Sequence, residues 1–256
     1  MKRINWTRDE LIIAFSLYLK IPFGKIHHSN PEIISLANLL GRTPSSIAIR
    51  LSNFAHVDPY HRDRGVVGMS AGANVVQPIW DEFIQDKESL LFESERIRAE
   101  KENSTIENKY ASILEGTAHL EGESRIQEIK VRVNQDVFRQ IVLNNYNSKC
   151  ALTGIDIPDL LIASHIIPWS KNVHERLNPE NGLCLSALYD RAFDRGLIGF
   201  NSNLEVVFSD QLKAKHKAPF FQKHFGDIEG KQLDSAVKYS PRIEFLDYHM
   251  MSIFRR

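Results

Sequence analysis

Apolar positions recur at helical spacing through the first sixty residues. Leu11, Ala14, Phe15, Tyr18 and Leu19 fall on one stripe. Thr7 and Glu10 stand ahead of it at capping-box spacing, and Pro22 and Gly24 end it. A second helix is predicted from Pro31 to Leu40, stopped by Gly41. A third opens after Thr43, a cap residue, with Pro44 in its first turn. Residues 58–78 are rich in glycine, proline and polar side chains and read as a long loop. Within that loop Arg62 and Arg64 are candidates for phosphate contact. From Ile79 a long charged helix is predicted, with Trp80, Phe83, Ile84, Leu90, Leu91 and Ile97 on partial helical spacing. Its mixed charges read as a solvated face with some interhelical packing. Residues 102–123 are polar and carry two glycines. The expected division is a helical N-terminal domain over 1–78, a helical linker over 79–123 and a second domain over 124–256.

The period changes in the second half. Val137, Phe138, Ile141, Val142 and Tyr146 predict one more amphipathic helix. "LLIASHIIP" is then a short β-rich run, and "WSKNVHERLNPENG" a loop. "LCLSAL" is a second short strand that leads into a helix, "ALYDRAFDRG". "LIGFNSNLEVVFS" predicts a hairpin turning at Asn201 to Asn203, and "SPRIEFLDYHMMSIFRR" a closing helix. The expected fold class is α+β.

Composition narrows this only a little. The chain has 256 residues, 43% hydrophobic and 25% charged, ordinary values for a soluble globular protein. Its 32 basic and 32 acidic residues cancel. That argues against a protein that coats nucleic acid indiscriminately and leaves room for a local basic groove. "LIIAFSLYL" is too short to span a bilayer, and "MKRINWTRDE" has no signal-peptide pattern. A cytoplasmic protein with no membrane partner is expected. Cys150 and Cys184 stand far apart and give no disulfide framework.

The chemistry gathers between residues 150 and 199. His165 ends the first strand and Asn181 lies at the end of the loop. Asp190 and Asp194 share one face of the helix. Asn181 follows His165 by 16 residues, Asp190 follows Asn181 by 9, and Asp194 follows Asp190 by 4. Like charges four residues apart on a helix repel by ~0.2–0.5 kcal/mol, which asks for a reason. Taken singly, each residue has an ordinary explanation: a structural histidine, a turn asparagine, surface Asp–Arg pairs of little energetic worth. None of those explanations accounts for all four in this order.

The pattern "CALTG…ASHIIPWS…RLNPENGLCLSALYDRAFDRGLI" resembles the HNH endonuclease family, in the branch whose first motif reads Ser-His. The resemblance runs over roughly residues 125–256 and implies a ββα-metal nuclease domain. It implies His165 as general base and Asn181 as the residue that holds the loop and orients the base. Asp190, Asp194 and Ser164 take the ligand positions for a divalent ion, magnesium or manganese, with Ser164 the weaker donor. Arg191 and Arg195 are expected on flanking phosphates. Only the first cysteine of each pair that binds zinc in many such proteins is present here, so no structural zinc is expected, and both thiols should be buried and free.

The N-terminal "WTRDE…LLGRTPSSIAIRL" resembles Myb-like and helix-turn-helix domains. That resemblance implies a tri-helical DNA-recognition domain in which Arg42, Ser45, Ser46 and Arg50 face DNA. The combination points to a restriction or defence nuclease acting on DNA as a homodimer, one site per strand. The competing class is a non-catalytic DNA-binding protein with a degenerate finger.

Overall fold

The computed structural model describes residues 5–63, 65, 68–117 and 120–256. Arg64, named above as a phosphate candidate, lies outside the described residues. The chain divides into two compact units, Met1–Val137 and Phe138–Arg256.

In the first unit α1 (Arg8–Lys20) starts on the capping box written in the sequence. The Thr7 hydroxyl accepts from the Glu10 amide and the Glu10 carboxylate accepts from the Thr7 amide. The helix is not one-sided. Leu11, Ile12, Ile13, Ala14, Phe15, Leu17 and Tyr18 are all at most 6% exposed, which makes it the central helix of its unit. Next come α2 (Pro31–Leu40), capped by Asn30 and closed by Gly41 at φ 62°, and α3 (Pro44–Val57), capped by Thr43. Phe54 of α3 stacks on Phe15, with ring centroids 4.7 Å apart and planes 8° apart.

The segment 58–78, expected as a loop, contains α4 (Pro59–Asp63) and the start of α5 (Ala73–Phe83). Pro78 sits inside α5 and does not break it. The reason is burial: Val76, Ile79, Trp80 and Phe83, at i, i+3, i+4 and i+7, all face the core. Each contributes roughly 1.5–3 kcal/mol, against a proline penalty of about 3 kcal/mol.

Two further helices, α6 (Lys87–Lys101) and α7 (Ile106–Lys109), follow. Residues 79–101, expected in the linker, place Ile79, Trp80, Phe83, Leu90 and Ile97 in the same core as α1. A buried ion pair adds to this: Lys20 Nζ lies 2.8 Å from Glu95, and Lys109 reaches the other Glu95 oxygen at 3.3 Å. Burial alone would raise the Glu95 carboxyl; the charges of Lys20, Arg98 and Lys109 hold it down at about 2. The long α8 (Gly122–Asn145) runs through the division of the chain, its residues up to Val137 in the first unit and the rest in the second.

In the second unit β1 (Leu161–His165) pairs antiparallel with β2 (Gly182–Ser186), so that Ser164 faces Leu183 in register and His165 faces Gly182. Every residue of β2 is buried. α9 (Ala187–Asp194) follows β2 with no intervening loop and packs on both strands. β3 (Ile198–Phe200) and β4 (Val206–Phe208) form the expected hairpin, whose turn is tied by the Asn201 side chain accepting from the amides of Asn203 and Glu205. The chain closes through α10 (Asp210–Lys213), α11 (Pro219–His224) and α12 (Ile243–Ser252). Gly196 lets α9 end against the C-terminal segment. A Cβ there would lie 2.1 Å from the Ile253 carbonyl oxygen, and its φ of 66° suits glycine.

Candidate active site

The β1–β2 hairpin and α9 bring the expected residues to one finger of the second unit. Alternation along β1 sends Ser164 and His165 to opposite faces. His165 lies on Phe138 of α8, with ring centroids 3.9 Å apart and planes 15° apart, and meets the Trp169 ring edge-on at 5.4 Å. Gly182, across the ladder, leaves room for this stack: a Cβ there would sit 2.9 Å from Phe138 and 2.5 Å from Val142.

His165 Nε2 lies 2.9 Å from the Arg176 carbonyl oxygen. A carbonyl only accepts, so Nε2 carries the proton and Nδ1 keeps its lone pair. Burial pulls the imidazole below its usual range; the hydrogen bond to Arg176 opposes this and the Arg176 charge adds to it. The ring is therefore neutral at neutral pH, with one nitrogen fixed as donor and the other left as a base. Arg176 is held in turn, its Nε donating to the Trp169 carbonyl at 2.8 Å and its guanidinium lying 5.1 Å from the Trp169 ring centre.

Asn181 is 1% exposed. Its side-chain oxygen accepts from the Ile167 amide at 2.7 Å, and its amide group donates to the carbonyls of Ile167 and Glu175, each at 3.1 Å. Its own carbonyl accepts from Ile166. One side chain thus ties the residues just past the histidine to the loop that supplies the Arg176 carbonyl. This is a positioning role.

On the other face, Ser164 Oγ is buried and makes no hydrogen bond of ordinary geometry, yet it lies close enough to Asp190 to lower that carboxyl. Burial outweighs this and raises Asp190 overall, with Arg191 also opposing. Asp194 is exposed, yet partial desolvation of its carboxyl by neighbouring atoms raises it, as does the Asp190 charge, against Arg191 and Arg195. Asp190 is half-buried, whereas Asp194, Arg191 and Arg195 are exposed. The arginines lighten the repulsion between the acids without cancelling it. Among the described residues no group of three or more His, Cys, Asp and Glu side chains is placed to hold a metal.

Cys150 and Cys184 are buried free thiols. Cys150 Sγ accepts from the Ser186 amide at 3.2 Å, which fills one of the open donors at the start of α9. In the first unit the four expected DNA contacts divide. Ser45 is exposed and Ser46 half-buried. Arg42 forks onto both Glu10 oxygens at 2.9 and 2.7 Å, and Arg50 donates to Asn53 and to the Gly72 carbonyl.

Two antiparallel strands run into a helix, with a carbonyl-fixed histidine on the first strand and two carboxylates on the helix, a ββα arrangement. Residues 150–201 match the protein-family model described as HNH endonuclease. No curated protein matches the chain. No helix among the described residues is long and apolar enough to cross a membrane.

Proposed function

We propose that the chain is a divalent-cation-dependent DNA endonuclease with His165 as general base. The reading is carried by one observation: within the segment that matches the HNH endonuclease model, the buried Ser164 hydroxyl, which lacks an ordinary hydrogen bond, lies on the strand that packs against the Asp190–Asp194 helix. Two carboxylates and a hydroxyl are hard oxygen donors. They fit magnesium or manganese, which take one or two protein carboxylates and fill their remaining positions with water and phosphate. A bound cation supplies counter-charge to the phosphate and to the oxygen that leaves. His165 Nδ1 takes a proton from water, the water oxygen bonds to phosphorus, and the bond from phosphorus to the 3′ oxygen breaks. Asn181 and the Arg176 carbonyl keep the ring in the tautomer that can do this. Arg191 and Arg195, both exposed, bind the flanking phosphates.

The wider reading is a cytoplasmic restriction or defence enzyme acting as a homodimer, with residues of the first unit, Ser45 and Ser46 among them, meeting DNA. Its support is the joining of a separate helical unit to the finger. The test is plasmid nicking with magnesium or manganese, wild type against His165→Ala, with a chelator control. Metal-dependent nicking lost in the variant is expected. The competing reading, a DNA clamp that does not cut, draws on Ser164 standing where an acid or histidine would ligate more firmly. DNA binding by wild type without cutting on either cation would establish it.

A further inference from the structure

The first unit carries an open cleft of about 960 Å³ over the first two turns of α3, its lining including Trp6, Arg42, Ser46, Ile49, Arg50 and Val75. We propose that this cleft takes a single extrahelical nucleobase of the DNA that the second unit cuts, which rests on the nuclease reading above.

Burial decides against α3 as a ridge laid along a groove. Leu51, Asn53, Phe54 and Ala55, in its second half, are all buried. The exposed positions of α3, Ser45 and Ile49, lie in its first two turns, with Ser52, His56 and Val57 only half-buried beyond them, and the open face of those first turns is concave. Its volume lies at the upper end of the ~300–1,000 Å³ usual for small-ligand sites. A nucleotide fits such a space and a duplex does not.

The lining chooses among nucleotide parts. The Arg42 and Arg50 guanidiniums lie 4.2 and 4.9 Å from the Trp6 ring centre, so three flat groups are gathered together. Glu10 neutralises Arg42, whose side chain is only 10% exposed. With that charge met inside the protein, Arg50 is the other cationic group of the lining, and it donates to two neutral partners, the Asn53 side chain and the Gly72 carbonyl. Ile49 and Val75 are 44% and 38% exposed and offer an apolar wall. The Ser46 hydroxyl provides a polar edge. A flat, neutral group with hydrogen-bonding edges and stacking faces matches this set, and bases displaced from the helix are read by stacking and edge contacts. The groups are also fixed beforehand: Arg42 by Glu10 and the Asn5 carbonyl, Arg50 by Asn53 and the Gly72 carbonyl. Little ordering remains for binding to supply.

The test uses the full chain in chelator, so that nothing is cut. Fluorescent duplexes of one sequence are compared, one fully paired and one with a single bulged nucleotide. At least ten-fold tighter binding of the bulged duplex is expected, lost in Ile49→Glu and Val75→Glu and kept in Met251→Glu, an exposed control in the second unit. Unchanged melting temperatures establish that the variants fold. Equal affinity of wild type for the two duplexes overturns the proposal, as does an equal loss on both duplexes in the cleft variants. Capture of a peptide by the cleft, with no preference between the duplexes, also overturns it. Plasmid nicking by the same variants with manganese keeps the two readings apart. His165-dependent nicking without bulge preference removes the cleft proposal alone, and bulge preference without nicking removes only the catalytic reading.

Discussion

His165 lies flat on Phe138 with its Nε2 against the Arg176 carbonyl. The stack fixes the plane of the ring and the carbonyl fixes its tautomer, so Nδ1 is the nitrogen left for proton transfer. Burial lowers the imidazole from its ordinary value near 6.5. Its neutral form is the active one, and a lowered value extends that form toward acid. Metal-dependent cutting should therefore stay level from pH 8 to below pH 6.5 and fall only in more acid solution. His165→Ala should lower the rate by ~10²–10⁴-fold, the range for losing a general base. A plasmid-nicking pH series at fixed manganese measures both. A rate already halved at pH 7 would contradict the assignment.

Asn181 should be sensitive for a structural reason. Replacing it with alanine leaves the Ile167 amide and the Glu175 carbonyl without their partner inside the fold. Each buried group left unpaired costs ~1–3 kcal/mol. Asn181→Ala should lose a few kcal/mol in urea unfolding and lose cutting with it. Asn181→Asp keeps the acceptor for Ile167 but buries a carboxylate against the Ile167 and Glu175 carbonyl oxygens, so it should be no more stable than alanine at neutral pH.

Asp190 sets stability against function. Its folded-state carboxyl is raised, chiefly by burial. A raised carboxyl contributes stability below its unfolded value that is lost as pH rises through the folded value. At neutral pH without metal the charged form is therefore a cost. Asp190→Asn should stabilise the metal-free protein by at least a few tenths of a kcal/mol, the scale of one like-charge pair four residues apart on a helix, while removing cutting. Thermal melts in chelator and with manganese give the comparison: wild type should gain stability from the cation and the variant should not. Equal gains would place the cation elsewhere.

Much of this fold was legible because its signals are local. Thr7 with Glu10, Asn30 before Pro31 and Thr43 before Pro44 mark helix starts that the structure repeats. Asn201 marks a real turn, and the histidine-to-carboxylate spacing marks a strand–strand–helix run. What escaped depends on contacts distant in sequence. Pro78 reads as a breaker until the packing of Trp80 and Phe83 is known. Residues 79–101 read as a helical linker with some packing, and neither the partners of Leu90 and Ile97 nor the Lys20–Glu95 pair has a pattern in the chain. At the site, Arg176 acts through a backbone carbonyl, which no side-chain pattern reveals. Nor does any pattern in the chain show that Glu10, which shares its capping box with Thr7, also holds the Arg42 guanidinium.

His249 is the last such contact, and it gives a prediction about acid. Its ring stacks on Phe193 of α9 at 3.7 Å with planes 3° apart, and its Nε2 donates to the Phe193 carbonyl at 3.0 Å. At 1% exposure it braces the carboxylate-bearing helix from beneath. Burial brings its pKa down to about 4, against the opposing pull of the hydrogen bond. A depressed histidine is neutral in the folded state and charges more readily when unfolded, so stability is lost as pH falls from about 6.5 to about 4. The loss at the lower end is ~2–3 kcal/mol, at about 1.4 kcal/mol per pH unit. His249→Gln cannot charge and can still donate to Phe193. It should be less stable than wild type at pH 7.5, where the stack counts, and should lose less on acidification. Urea unfolding of both proteins at pH 7.5 and 4.5 reads the difference. Parallel losses in the two proteins would mean that acid destabilises this unit through other groups.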